Sequence, residues 1–171
     1  MLAKNESGDV EFTITRHFKF PPELIFDAFT KPEHFNQWFG PTGSTVIKSS
    51  IDLRPGGLNH FGLKMSDGLA LWGKYIYREI TPPKRLVYVQ SFSDEHGNIT
   101  VHPLSPTWPR EMLTIITFEK INDGTQLCIR WLPINATEEE RSTFNAAESS
   151  MNQGWGGTLD KLVEYLSNNK F

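Results

Sequence analysis

A chain of 171 residues, 38% hydrophobic and 22% charged, has the size and composition of one globular domain that needs no disulfide or metal staple. A net charge of −3 without any basic stripe excludes a broad phosphate-binding surface, and with it a nucleic-acid partner. The single cysteine, Cys128, excludes an internal disulfide and a C-x-x-C zinc or redox site.

From the N-terminus, Met1 to Glu11 is polar and holds no signal-peptide core, and no run approaches the ~20 apolar residues of a membrane span; the expected location is cytoplasmic. Phe12 to Phe18 alternates apolar with polar residues, the pattern of a strand. Pro21-Pro22 ends it, and Leu24, Ile25, Ala28 and Phe29 fall at helical spacing in a short amphipathic helix. A second short helix begins after Lys31-Pro32, carries Phe35, Trp38 and Phe39, and stops at Gly40-Pro41. Strands are predicted at Thr45 to Leu53, Leu58 to Met65, Leu69 to Ile80 and Arg85 to Phe92. Arg54-Pro55-Gly56-Gly57, Asp67-Gly68 and Thr81-Pro82-Pro83-Lys84 supply the turns between them. Residues 94–110 are irregular and carry Trp108; two more strands, Met112 to Ile121 and Gln126 to Pro133, join through Asn122-Asp123-Gly124.

The period then changes. Thr137 with Glu140 is a capping box, and three acids complement a helix N-terminus. Phe144, Ala147, Met151, Trp155, Leu159, Leu162 and Leu166 recur at three- and four-residue steps, predicting one long C-terminal helix of roughly 30 residues. Gly154, Gly156 and Gly157 flank Trp155, each costing about 1 kcal/mol of helix propensity. Close packing, a bend, or room for a ligand or a partner strand would each account for them. The expected fold is therefore α+β: a curved antiparallel sheet of six to seven strands around a long helix, with two short helices after the first strand. One straight helix cannot fill a curved sheet, so large side chains or a ligand must occupy the remaining space. The 12 Phe, 5 Trp and 4 Tyr suit either outcome.

Several motifs carry a family likeness in order along residues 12–166. Arg16 precedes Pro21-Pro22 and Phe26; Pro32-Glu33 leads to Trp38-Phe39-Gly40-Pro41; Arg54-Pro55-Gly56-Gly57 and Gly73 come before Glu79-Ile80. Pro82-Pro83-Lys84-Arg85-Leu86, Gly124-Thr125 and Gly154-Trp155 with Leu159-Asp160 complete the series. Together they resemble the activator-of-heat-shock-ATPase-like branch of the START-like (SRPBCC) superfamily. The resemblance implies a helix-grip fold in a single domain, 1–171. It also implies relatives that bind lipids, polyketides or hormones, a few cyclases or resistance proteins, and one chaperone-stimulating branch. Chaperone-activating relatives use an additional N-terminal domain, which is not expected in the short stretch before the first strand.

No catalytic, metal-binding or cofactor-binding constellation is legible. Of the five histidines, His17, His34, His96 and His102 read as exposed, and His60 stands alone on a strand. No metal-ligand spacing, nucleophile elbow, Walker loop or dinucleotide fingerprint occurs. Cys128 falls on the face opposite the apolar one. Arg16 and Glu79 read as buried charges, either a structural ion pair or an anchor for a ligand carboxylate.

The preferred reading is a cavity for a small hydrophobic molecule (lipid, polyketide or aromatic) between sheet and C-terminal helix. Strand parity turns Ile116, Phe118, Ile129 and Trp131 inward, opposite Trp38, Phe39, Met151 and Trp155. Phe61, Trp72, Tyr88 and Phe92 are added from the middle strands, and Trp108 from a segment long enough to be a lid. An enzyme of the polyketide cyclase or hydrolase type in the same cavity and a chaperone-interacting regulatory protein are the competing expectations. A homodimer is compatible with the sequence.

Overall fold

The computed structural model describes residues 1–6 and 9–171. In chain order the elements are β1 (Leu2–Lys4), β2 (Val10–Phe18), α1 (Pro22–Thr30), α2 (Pro32–Trp38), β3 (Thr45–Ile51), β4 (Leu58–Lys64), β5 (Ala70–Thr81), β6 (Arg85–Ser93), β7 (Met112–Ile121), β8 (Gly124–Pro133), α3 (Glu138–Ala146) and α4 (Glu148–Asn168). The strands form one antiparallel sheet in the order β1-β2-β8-β7-β6-β5-β4-β3. Every consecutive pair from β3 to β8 is a neighbour, which is the meander that the regularly spaced turns predict. The helices α1 and α2 carry the chain from β2 to β3 at the far edge of the sheet. Bulges between Val46 and Lys48 and between Tyr77 and Glu79 interrupt the register, and such bulges bend and twist strands. The result is the α+β helix-grip arrangement.

Two elements differ from the pattern in the sequence. β1 is an eighth strand, paired Leu2↔Phe12 and Lys4↔Val10; three residues are too few to show an alternation, and only the free edge of β2 makes them a strand. The C-terminal helix is two. The Thr137–Glu140 capping box starts α3 with both of its bonds made, at 3.2 and 2.8 Å. The ladder restarts at Ala147, whose φ of −99° and ψ of 16° leave the helical region. The apolar stripe runs across the break nonetheless, with Phe144, Met151, Trp155, Leu159, Leu162 and Leu166 all buried.

The inner face of the sheet follows strand parity on β2, β7 and β8. Cross-strand pairs Ile116↔Ile129, Phe118↔Leu127 and Ile14↔Ile129 place apolar side chains together beneath α4. α1 closes one end of this layer: Phe26 and Phe29 meet Phe118 edge-on at 5.3 and 5.7 Å, a favoured aromatic geometry. Among the described residues no helix is long and apolar enough to cross a membrane.

Candidate functional site

The space between sheet and helix is filled at the α1 end and open at the other. There, a cleft of about 570 Å³ lies between the first half of α4 and the inner face of the sheet, within the range of small-molecule sites. The sheet contributes Phe61 and Leu63 from β4, Gly73 from β5, Gln90 and Phe92 from β6, and Trp131 from β8. α4 contributes Met151, Gly154, Trp155 and Thr158, one face at three- and four-residue steps. Phe39 to Pro41 bound one end. Residues 102–105 with Trp108 bound the other, and the β4–β5 hairpin tip stands at the mouth.

Eight of the side chains singled out from the sequence border this cleft: Phe39, Phe61, Trp72, Phe92, Trp108, Trp131, Met151 and Trp155. The other five, Trp38, Tyr88, Ile116, Phe118 and Ile129, are buried in the closed core away from it. Trp38 packs edge-on against Phe29 at 4.9 Å, and its indole N–H donates to the Ala28 carbonyl at 2.9 Å. Alternation states which face a side chain takes, but not whether a helix covers it. Trp72 needs a further correction. Gly73, Tyr75 and Tyr77 point inward, so the Trp72 indole lies on the outer face, above Gly62 and stacked on His60 at 5.2 Å.

Beside the cleft, the inner face of β5 and β6 is unexpectedly polar. Tyr75 stacks on Tyr88 at 4.1 Å, and Tyr77 meets Tyr88 edge-on at 6.2 Å. Burial pushes the Tyr77 hydroxyl up to about 12, and burial likewise raises Tyr75 and Tyr88. All three are neutral at physiological pH. Tyr77 sits beside Asn59, and Tyr88 beside Tyr75 and Thr114. Closer to the cleft, Gln90 Oε1 and the Trp131 indole N–H are buried without a protein hydrogen-bond partner. The titratable lining residues are Asp67, whose carboxylate accepts from the Leu69 amide at 2.9 Å on the hairpin tip, and His102. Among the described residues neither is paired with a nucleophile, and the arrangement can hold and orient a molecule.

The model of the family "Activator of Hsp90 ATPase homolog 1-like protein" matches residues 19–167. The chain belongs to this family. Solved structures share the fold across almost the whole chain. A protein from Nitrosomonas europaea is 22% identical, covers 94% of this chain and 96% of its own, and gives a TM-score of 0.74. One from Mycobacterium smegmatis is 18% identical over 100% and 98%, with a TM-score of 0.77. The AHSA1 protein from Silicibacter pomeroyi is 16% identical over 92% and 97%, with a TM-score of 0.71. No curated protein matches.

Within this family member, Arg16, Glu79, His60 and His34 lie away from the cleft. Arg16 pairs with Asp160 of α4 at 2.6 Å and is 30% exposed, Asp160 70%. Glu79 pairs with Arg85 at 3.1 Å and is half-exposed. These are surface ion pairs of small worth. Glu11, itself buried, holds the part-exposed Arg130 bidentately at 2.9 and 2.8 Å, a strand-to-strand tie. His60 Nε2 contacts the Asp94 carbonyl at 3.1 Å on the outer face. His34 is less exposed than its helix turn suggests, because Nδ1 meets the Tyr165 hydroxyl at 2.7 Å.

His102, expected as a solvated loop residue, is instead half-buried in the cleft wall. It is edge-on to Phe92 at 4.5 Å, with Nδ1 accepting from the Leu104 amide at 3.0 Å. That bond places the proton of the neutral ring on Nε2, and desolvation lowers its pKa. Gln90 is the lining residue with a legible signal: it alternates with Tyr88 and Phe92 on β6, an amide at an inward position.

Three glycines of α4 separate into two kinds. A Cβ at Gly157 would run into the Thr42 hydroxyl, so this glycine lets the α2–β3 loop lie against the helix. A Cβ at Gly154 meets nothing within 4 Å, and Gly154 borders the cleft. Lys161 holds the same loop from below, donating to the Ser44 carbonyl at 2.6 Å.

Proposed function

We propose that this domain binds a small, largely apolar molecule in the cleft between the sheet and α4. The observation that carries the proposal is the division of the sheet–helix space. The α1 end is packed, while the α4 end leaves about 570 Å³ walled by Phe39, Phe61, Phe92, Trp131, Met151 and Trp155. An unfilled aromatic wall of this size sacrifices dispersion contacts that an apolar guest would restore. Residues 102–108 act as the lid, with Trp108 packed on Trp131 and Phe144 at 5.6 and 5.9 Å. The family is compatible with ligand binding or regulation; a site in the cytoplasm belongs to the same proposal.

The test is a tryptophan-quenching and thermal-shift screen of fatty acids, sterols, flavonoids and polyketide-like aromatics. A ligand present at about 100 times its Kd adds about 2.7 kcal/mol. For a domain of this size that raises Tm by about 5–10 °C. Gly154→Leu builds a side chain at the border of the cleft from a position where a Cβ meets nothing within 4 Å, and is expected to abolish the shift while the free protein stays folded. Absence of any ligand binding below ~100 μM, or a shift that Gly154→Leu leaves untouched, sinks the proposal.

A further inference from the structure

The two tryptophans on either side of the division differ in one respect. In the packed half, the Trp38 indole N–H has a backbone acceptor, the Ala28 carbonyl at 2.9 Å. In the open half, Trp131 is also buried, at 9% exposure against 1% for Trp38, and its neighbours are the rings of Trp108, Phe144 and Trp155. Those rings offer no in-plane acceptor, and the Trp131 N–H has no protein partner. A buried indole N–H ordinarily finds one. Gln90 repeats the pattern on β6. Its side chain is turned to the cleft between Tyr88 and Phe92, and its carbonyl oxygen is buried without a protein partner. An amide at an inward strand position is costly unless something bonds to it. Both groups line the cleft, and both sit on the sheet side, opposite the apolar face of α4.

From this pairing we infer that the cleft selects a flat, aromatic or polycyclic molecule bearing a hydroxyl or carbonyl group on the side that meets the sheet. An oxygen on the guest accepts from the Trp131 N–H, and a hydroxyl on it donates to the Gln90 carbonyl. The body of the guest stacks within the aromatic wall. A simple acyl chain carries one polar group, at its end, and has no flat face to stack within the aromatic wall. The inference rests on the ligand-binding proposal and adds the chemical class of the guest.

The experiment compares two probes of nearly equal size, 1-hydroxypyrene and 1-methylpyrene, by equilibrium quenching of tryptophan fluorescence in the full chain. Wild type is expected to prefer the hydroxyl compound by about tenfold, the factor one well-made hydrogen bond to a buried partner supplies. Trp131→Phe keeps a ring and removes the donor; Gln90→Met keeps the length and removes the amide. Each is expected to reduce the preference to about twofold or less, read as the ratio of the two probes' affinities within the same variant. Equal or tighter binding of 1-methylpyrene by wild type overturns the inference and leaves the cleft proposal standing. So does a hydroxyl preference that survives both substitutions. Binding of neither probe, together with a failed ligand screen, overturns both. The wild-type comparison requires no variant, so a variant that misfolds cannot shield the inference.

Discussion

The glycines of α4 allow a quantitative test of why the helix carries residues it should avoid. Gly→Ala in a helix interior gains about 0.5–1 kcal/mol, largely by restricting the unfolded chain. That gain is realised only where the new methyl group has space. At Gly154 and Gly156 a Cβ meets nothing within 4 Å, so both substitutions should be stabilising. At about 2–4 °C per kcal/mol for a domain of this size, Tm should rise by about 1–4 °C for either. At Gly157 the same methyl group runs into the Thr42 hydroxyl. The loop carrying Thr42 has little freedom to retreat, because Lys161 binds the Ser44 carbonyl at 2.6 Å and the Ser44 hydroxyl donates to the Pro41 carbonyl at 2.7 Å. Overpacking of this kind costs about 1–3 kcal/mol, which exceeds the propensity gain. Gly157→Ala should therefore lower Tm. Thermal unfolding followed by circular dichroism, at one pH and protein concentration, resolves the sign. If Gly154→Ala destabilises, or if Gly157→Ala matches it in stability, the division of the glycines into cleft-facing and loop-packing positions is wrong.

Two further outcomes test the site. Phe118→Ala removes a ring held between Phe26 and Phe29 and should cost about 3–5 kcal/mol; because Phe118 lies outside the cleft, probe affinity measured on the folded fraction should not change, and a selective loss of binding would contradict its placement. His102 supplies a pH dependence. Burial lowers its folded pKa from 6.5, so the unfolded chain binds its proton first, and stability is full above pH 6.5 and declines as pH falls through the folded value. The Tm difference between wild type and His102→Gln should be constant above that pH and shift against wild type below it; a difference that stays flat, or shifts the other way on acidification, refutes the half-buried neutral ring.

Local pattern carried a great deal of this architecture. Turn residues and alternation located seven strands, and parity on β7 and β8 set Ile116, Phe118, Ile129 and Trp131 on the inner face. The capping box at Thr137 and Glu140 marked the start of α3. Each of these features depends on neighbours within a few residues, which is why a linear reading reaches it. Other features depend on what lies across the molecule. β1 exists only because β2 presents an edge, and Trp72 faces outward because the pleat of β5 is set by Gly73 and Tyr75 against β4 and β6.

The boundary between filled core and open cleft is of the second kind. Trp38 and Trp131 look alike as inward-directed tryptophans in an apolar setting, yet α1 brings a carbonyl to one and no protein acceptor reaches the other. Gly154 and Gly157 stand three residues apart on one helix, and only the approach of the α2–β3 loop makes their roles different. The sequence by itself therefore determined seven of the strands, the inner faces of β7 and β8, and the family to which the chain belongs. Tertiary structure decided which inward side chains are covered, because coverage depends on which helix lies over each part of the sheet, and no local period encodes that placement.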